Sequence, residues 1–173
     1  KEFANAEGRD YELELEHDAY YGYIDEQTDP DLSFIDDLVL NDNKGDSIKP
    51  RDYQLKAIDY ALRNKRGMLI SPTASGKSLI IYILLHWYLS NNNKRALIIV
   101  PTTSLVEQMY SDFAEYSAQD TTFDNDENCY KVYGGADRDN ITKRVIISTW
   151  QSIYKLKQPW FERFGMVVGD EAH

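Results

Sequence analysis

Cysteine is nearly missing from this chain. Cys129 stands alone among 173 residues, so no disulfide framework and no multi-cysteine zinc site can be built within it. Cys129 itself is expected as a small, half-buried strand residue rather than a nucleophile. Reduced surroundings suit this usage, and a cytoplasmic location is the expectation. Long apolar runs are also lacking. The most apolar stretch, residues 79–89, is interrupted by His86 and is too short to cross a hydrocarbon layer of about 30 Å. It reads as a buried helix, and no membrane contact is expected. Internal repeats and low-complexity tracts are absent as well.

Basic residues are scarce only at the front. Residues 1–50 carry 15 acids and 4 bases, and residues 51–173 carry 14 acids and 15 bases. The net charge of −10 therefore belongs to the front segment and does not exclude nucleic-acid binding by the rest. The chain begins with Lys1 rather than Met and stops at His173, inside a motif, so it is expected to be a piece of a longer protein.

Two organisational zones follow. In the first, Tyr11 to Glu16 alternates with period 2 and suggests an edge or hairpin strand. Residues 31–40 place Leu32, Ile35, Leu38 and Val39 on one face of an expected short helix. Asn41 to Asp46 reads as a turn-rich linker. Residues 1–46 are thus expected to be the acidic tail and linker of an accessory domain. In the second zone, residues 47–173, helices and strands alternate. Helices are expected over 51–64, 77–89, 102–116 and 151–156, and strands over 67–71, 96–100, 130–133, 145–148 and 166–169. The strands are apolar rather than alternating, which implies an α/β fold whose mostly parallel sheet is covered on both faces.

Two tetrapeptides carry chemistry. Ser71 to Ser78 lies between a predicted strand and a predicted helix and contains Gly76-Lys77-Ser78. Backbone N–H groups of Thr73, Ala74, Ser75 and their neighbours can turn around a β-phosphate, with Pro72 shaping the same loop and the helix N-terminus aimed at it. Gly76 permits close approach, Lys77 reaches the β- and γ-phosphates, and Ser78 offers a hydroxyl to Mg²⁺. Ser71 stands where the general phosphate-loop pattern has its first glycine, and Ala74 is a second small residue. At the other end, the apolar run 166–169 leads into Asp170-Glu171-Ala172-His173. Asp170 suits Mg²⁺ held through its water shell, and Glu171 suits a base that orients and deprotonates an attacking water. In this order the two motifs point to an ATP-driven motor, with ATP and Mg²⁺ as cofactors and Lys77, Asp170 and Glu171 as catalytic residues.

With these residues in place, the chain resembles the superfamily 2 DEAH-type helicases and translocases. Arg51-x-Tyr53-Gln54 is similar to their Q motif, Val100-Pro101-Thr102-Thr103 to the next motif, and Ser148-Thr149-Trp150-Gln151, after Gly134-Gly135, to further strand-contacting motifs. The resemblance covers about residues 50–173. It implies a RecA-like P-loop NTPase lobe, incomplete here, with Arg51 and Gln54 at adenine. It also implies DNA backbone contacts of low sequence specificity at Pro101, Thr102, Thr103, Gly134 and Thr149. Fork or recombination-intermediate remodelling is the implied task. The alternatives are a restriction or repair translocase, and a nucleotide-gated module without turnover. The second lobe and its arginines lie outside this chain, so residues 1–173 alone are expected to hydrolyse ATP negligibly. Trp150 is expected to pack in the core. Lys143, Arg144, Lys155 and Lys157 are each expected on a solvated face, with phosphate contact as the sharper alternative.

Overall fold

The computed structural model describes the backbone of residues 14–16 and all of residues 30–64, 66–70, 75–139 and 141–170. The elements run in chain order as follows: strand β1 (Glu14–Glu16), helix α1 (Asp52–Arg63), strand β2 (Met68–Ile70), helix α2 (Lys77–Asn91), strand β3 (Arg95–Val100), helix α3 (Thr103–Tyr116), helix α4 (Asn125–Asn128), strands β4 (Cys129–Val132) and β5 (Val145–Thr149), helices α5 (Trp150–Ile153) and α6 (Gln158–Phe161), and strand β6 (Phe164–Gly169).

The centre is a four-stranded sheet in the order β4-β5-β3-β6, parallel throughout. The register pairs Val132 with Ser148, Ile99 with Ser148 and Ile99 with Gly169, so all four strands end together at one edge. Side-chain alternation divides the core. Ala96, Ile98, Val100, Val145 and Ile147 face a large cluster with α1, α2 and α3. Leu97, Val132 and Ile146 face a smaller one with Ile153, Trp160 and Phe164. Both faces are covered, which explains strands without polar alternation. Residues Val145 to Thr149 are all buried.

Helix α2 is apolar nearly all round because neighbours enclose it. Leu79 to Ile83, Leu85 and Tyr88 are buried. The helix packs against α1 and α3. Helix α3 buries Val106, Met109 and Phe113, a helical spacing. Its start is fixed by the Thr102 Oγ1, which accepts from the Leu105 N–H at 3.3 Å. Between these helices the Tyr82 ring meets Phe113, Tyr116 and Phe123 with centroids 5.5–5.6 Å apart.

Three expectations change. Residues 31–40 form a single 3-10 turn, Ser33–Ile35, not a helix. The Asp31 carboxylate accepts from the Ser33 N–H at 2.9 Å, a local bond that competes with helix propagation. Ile35 and Leu40 nevertheless enter the large core, while Val39 stays 44 % exposed. The turn at 41–47 is pinned to the core as well: Asn41 bridges Ser47, and the Asn41 N–H donates to the Tyr116 carbonyl. Strand β2 was expected buried and parallel. It pairs antiparallel with β1, and Met68 and Ile70 are 56 % and 46 % exposed. Among the described residues no parallel neighbour lies beside it, so only Leu69 faces the core. The alternating stretch 11–16 yields β1 over its last three residues. Residues 11–13 lie outside the described residues.

Behind the aromatic cluster, Asp120 is tied to His86 at 3.2 Å and to the Thr122 hydroxyl at 2.6 Å. Burial pushes its carboxyl up, but the bonds from the Thr122 side chain and backbone and the nearby His86 outweigh this and hold it below the ordinary value. A lowered carboxyl stabilises the fold above the unfolded-state pKa, and that contribution is lost as pH falls through the folded-state value. Asp120→Asn is therefore expected to cost about 1–2 kcal/mol near pH 6, with the difference closing below about pH 4. Urea unfolding of both proteins across this range reads the effect. A gap independent of pH would contradict it.

Candidate nucleotide and nucleic-acid site

The phosphate-loop residues divide at the described boundary. Ser71, Pro72, Thr73 and Ala74 lie outside the described residues, and Ser75 to Ser78 are within them. Ser75 is buried and its carbonyl is gripped from α1. The Tyr53 hydroxyl donates to it at 2.6 Å, and the Gln54 amide donates to Ser75 O and Gly76 O at 3.3 and 3.2 Å. Gln54 Oε1 accepts from the Arg51 N–H at 2.8 Å, closing the start of α1. Gln54 is thus buried, with its amide engaged at both ends and clamping the loop backbone. Contact with adenine would require these bonds to be remade. Arg51 is exposed beside it.

Gly76 has φ +73°, and a Cβ there would lie 2.5 Å from Gln54 Nε2. Only glycine combines that backbone with that approach. The chain then enters α2 with Lys77 as its first residue, so the helix N-terminus and the ammonium share one side. Lys77 Nζ lies 3.8 Å from Asp170 Oδ1, the two side chains being 27 % and 14 % exposed. Asp170 continues from β6, its N–H donating to the Ile99 carbonyl at 2.8 Å. A partly open pair of this kind contributes only about 0–1 kcal/mol to folding. Its meaning is positional: an ammonium and a carboxylate from distant motifs lie within reach of one ligand. Glu171, Ala172 and His173 lie outside the described residues.

Ser78 shows a partner that no sequence signal announced. Its Oγ lies 2.9 Å from the Tyr116 hydroxyl on α3. Asp112, one turn earlier on the same helix, has its carboxyl raised by burial, offset in part by a hydrogen bond with Ser78. Spacing cannot find Tyr116, which sits 38 residues from Ser78 on a helix oriented by the aromatic cluster.

The expected nucleic-acid contacts gather along the edge where the parallel strands end. Thr102 and Thr103 are exposed, and Pro101 is partly so. Gly134 and Gly135 are exposed beyond β4, with nothing within 4 Å of a built Cβ. Thr149 departs from the expectation of an open contact. It is 4 % exposed and its hydroxyl meets Ser152 Oγ at 2.8 Å. Trp150, expected in the core, is 55 % exposed. Helix α5 begins at this residue, and Ile153 and Trp160 fill the core beneath. Lys143 and Arg144 precede β5 and so sit at the opposite sheet edge. The Lys143 Nζ donates to the Asp126 carbonyl, and Arg144 donates to Leu89 O at 3.1 Å, closing the end of α2. Lys155 and Lys157 are exposed near the strand ends.

The parallel sheet covered by helices on both faces is an α/β lobe of the RecA-like helicase type. Residues 47–173 match the family described as type III restriction enzyme, res subunit, and the chain belongs to that family. The ATP-dependent DNA helicase uvsW of Enterobacteria phage T4 is 40 % identical over 129 residues, covering 73 % of this chain and 25 % of that protein. The DNA 3′-5′ translocase XPB2 of Sulfurisphaera tokodaii is 27 % identical over 151 residues, covering 87 % of this chain and 31 % of the relative. A crystal structure of T4 UvsW superposes with a TM-score of 0.72 at 36 % identity, covering 80 % of this chain and 28 % of that one. The chain thus spans about a quarter to a third of these relatives. The superfamily 2 resemblance and the RecA-like fold are borne out. Among the described residues no helix is long and apolar enough to cross a membrane.

Proposed function

We propose that this chain is the first-lobe portion of an ATP-dependent DNA helicase or translocase that remodels forks or recombination intermediates. The approach of Lys77 to Asp170 at 3.8 Å, at the edge where the parallel strands end, carries the reading. Residues 1–46 are read as an accessory tail and linker and residues 47–173 as the lobe, a division supported by a family match that starts at 47. Residues 71–78 cradle the triphosphate, Lys77 holding the β- and γ-phosphates. Arg51 stands at the base; Gln54 and Tyr53 fix the loop, and Gln54 reaches the base by remaking its bonds to the Ser75 and Gly76 carbonyls. Glu171 orients the attacking water.

The donor set fits Mg²⁺, since Ser78 offers a hydroxyl and Asp170 a carboxylate, the hard oxygen ligands this ion takes. When bound, the ion neutralises charge between the β- and γ-phosphates. Ser78, whose Oγ lies 2.9 Å from the Tyr116 hydroxyl, would hold the ion together with Asp170. DNA contacts the lobe through its backbone at Pro101, Thr102, Thr103 and Gly134, with Thr149 shaping the edge from beneath. The exposed N-terminus of α3 favours a phosphate there. Such contact implies little sequence specificity. A second lobe is the natural partner across the open face, and the cytoplasm of a host cell is the fitting location.

ATP turnover by a longer parent containing both lobes, with and without single-stranded DNA, tests this reading. Turnover is expected to rise on adding DNA and to fall with salt as the contacts weaken. A parent that binds ATP but does not turn it over, with or without DNA, would favour the nucleotide-gated module instead.

A further inference from the structure

Helix α5 buries one face and exposes two large aromatic rings on the other. Ile153 is fully buried in the smaller core, whereas Trp150 is 55 % and Tyr154 51 % exposed. These two residues are one helical turn apart, and the Tyr154 N–H donates to the Trp150 carbonyl at 3.0 Å. They therefore lie on one side of the turn.

The turn is held firmly. Thr149 and Ser152 pair their hydroxyls at 2.8 Å. Arg138 Nε donates to the Ser152 carbonyl at 2.9 Å, and the Trp160 indole N–H donates to the Arg138 carbonyl at 2.6 Å. Rigid exposed rings lose little conformational freedom on binding a ligand.

Position and charge indicate the occupant. Thr149 pairs with Val100 in the sheet, so Trp150 leaves the same edge from which Pro101, Thr102 and Thr103 leave. Gly134 and Gly135 lie two and three residues beyond Val132, whose partner is Ser148. From Gln151 to Gln158 the chain holds two lysines and no acid. Lys155 Nζ sits 5.4 Å from the Tyr154 ring centroid, and Lys157 is exposed nearby. An aromatic surface flanked by ammonium groups, continuous with an edge suited to phosphates, matches a single strand whose bases are unstacked.

We propose that Trp150 and Tyr154 form a stacking platform for the bases of single-stranded DNA, with Lys155 and Lys157 beside the backbone. The proposal deepens the nucleic-acid reading above and rests on it. It adds a contact that depends on the base being present but not on which base, because every base has a π-face.

The test compares a fluorescein-labelled oligo-dT with an abasic oligonucleotide of equal length, by anisotropy, on the whole 173-residue chain and on a longer parent. The wild-type protein is expected to bind oligo-dT about tenfold more tightly than the abasic strand. Trp150→Ala is expected to remove most of that preference while leaving the abasic affinity in place. Trp150→Phe is expected to keep it, and Tyr154→Ala to weaken it less than Trp150→Ala does. Equal wild-type binding of the two strands overturns the platform and leaves the backbone reading standing. So does a Trp150→Ala loss of the same size on both strands, which would mark the rings as packing for another protein surface. Wild type and parent binding neither strand would overturn the backbone reading along with the platform. An unfolding midpoint for each variant separates binding from folding. Should Trp150→Ala fail to fold, the base preference of Tyr154→Ala against Trp150→Phe decides, with equal preferences overturning the proposal.

Discussion

Lys77→Ala, made in a longer parent that carries both lobes, will lower ATP turnover by about 10²–10³, the scale for removing one preorganised donor to a reacting oxyanion. The reason lies in placement. Lys77 opens α2 at its N-terminus, where the helix already favours negative charge, and its ammonium stands 3.8 Å from Asp170. A phosphate between loop and carboxylate loses a cation that no other described residue at the loop supplies. The companion substitution Glu171→Gln keeps the shape and removes the base, with an expected loss of about 10²–10⁴. Lys77→Ala should not alter the fold, because the Lys77–Asp170 pair is partly open and adds little stability. Steady-state ATPase and an unfolding curve for each variant check both halves. Near wild-type turnover in both variants would remove the motor reading.

Gly76→Ala is the second large effect, and it acts through structure. The backbone at Gly76 has φ +73°, and a Cβ would lie 2.5 Å from Gln54 Nε2. Alanine in the left-handed region costs about 1–2 kcal/mol. Displacing Gln54 strips its own buried amide of its bonds to the Ser75 and Gly76 carbonyls, at a further cost of about 1–3 kcal/mol. A loss of about 2–5 kcal/mol is expected in urea unfolding, with weakened nucleotide binding. Gly135→Ala meets nothing within 4 Å and should change stability by less than about 0.5 kcal/mol. Because the two residues touch, Gly76→Ala should cost less in a Gln54→Ala background than in wild type. Strict additivity would contradict the clamp.

The alternation of elements from residue 50 onward was legible because each strand is a compact apolar run and each helix carries its own start signal. Thr102, expected at the start of its helix, is the cap, and the four parallel strands fell where apolarity placed them. Asp170 follows β6 in the four-stranded sheet, whereas β2, the strand before Lys77, lies outside it, so their approach at 3.8 Å was not legible from strand order alone. What the sequence hid was set by neighbours distant along the chain. Gln54 was expected at adenine from the resemblance, yet its amide is engaged by the loop at 75 and 76. Trp150 reads as core by residue type, but Ile153 and Trp160 already fill that space. The exposed flanks of β2 were missed because burial depends on which strand lies alongside, and a three-residue apolar run does not name its partner. The short helix α4 was missed for lack of any periodicity in four residues. The Asp124 side chain, accepting from the Glu127 N–H at 2.8 Å, was its one start signal.

The central claim is that loop and carboxylate serve one ligand, and a crystal structure of this chain grown with ADP and Mn²⁺ tests it most directly. The account predicts the β-phosphate within about 3 Å of Lys77 Nζ, as a charge-assisted hydrogen bond requires, and the manganese anomalous peak beside Asp170 on the Ser78 side. A nucleotide seated away from Lys77, or a metal peak with no approach to Asp170, would contradict it.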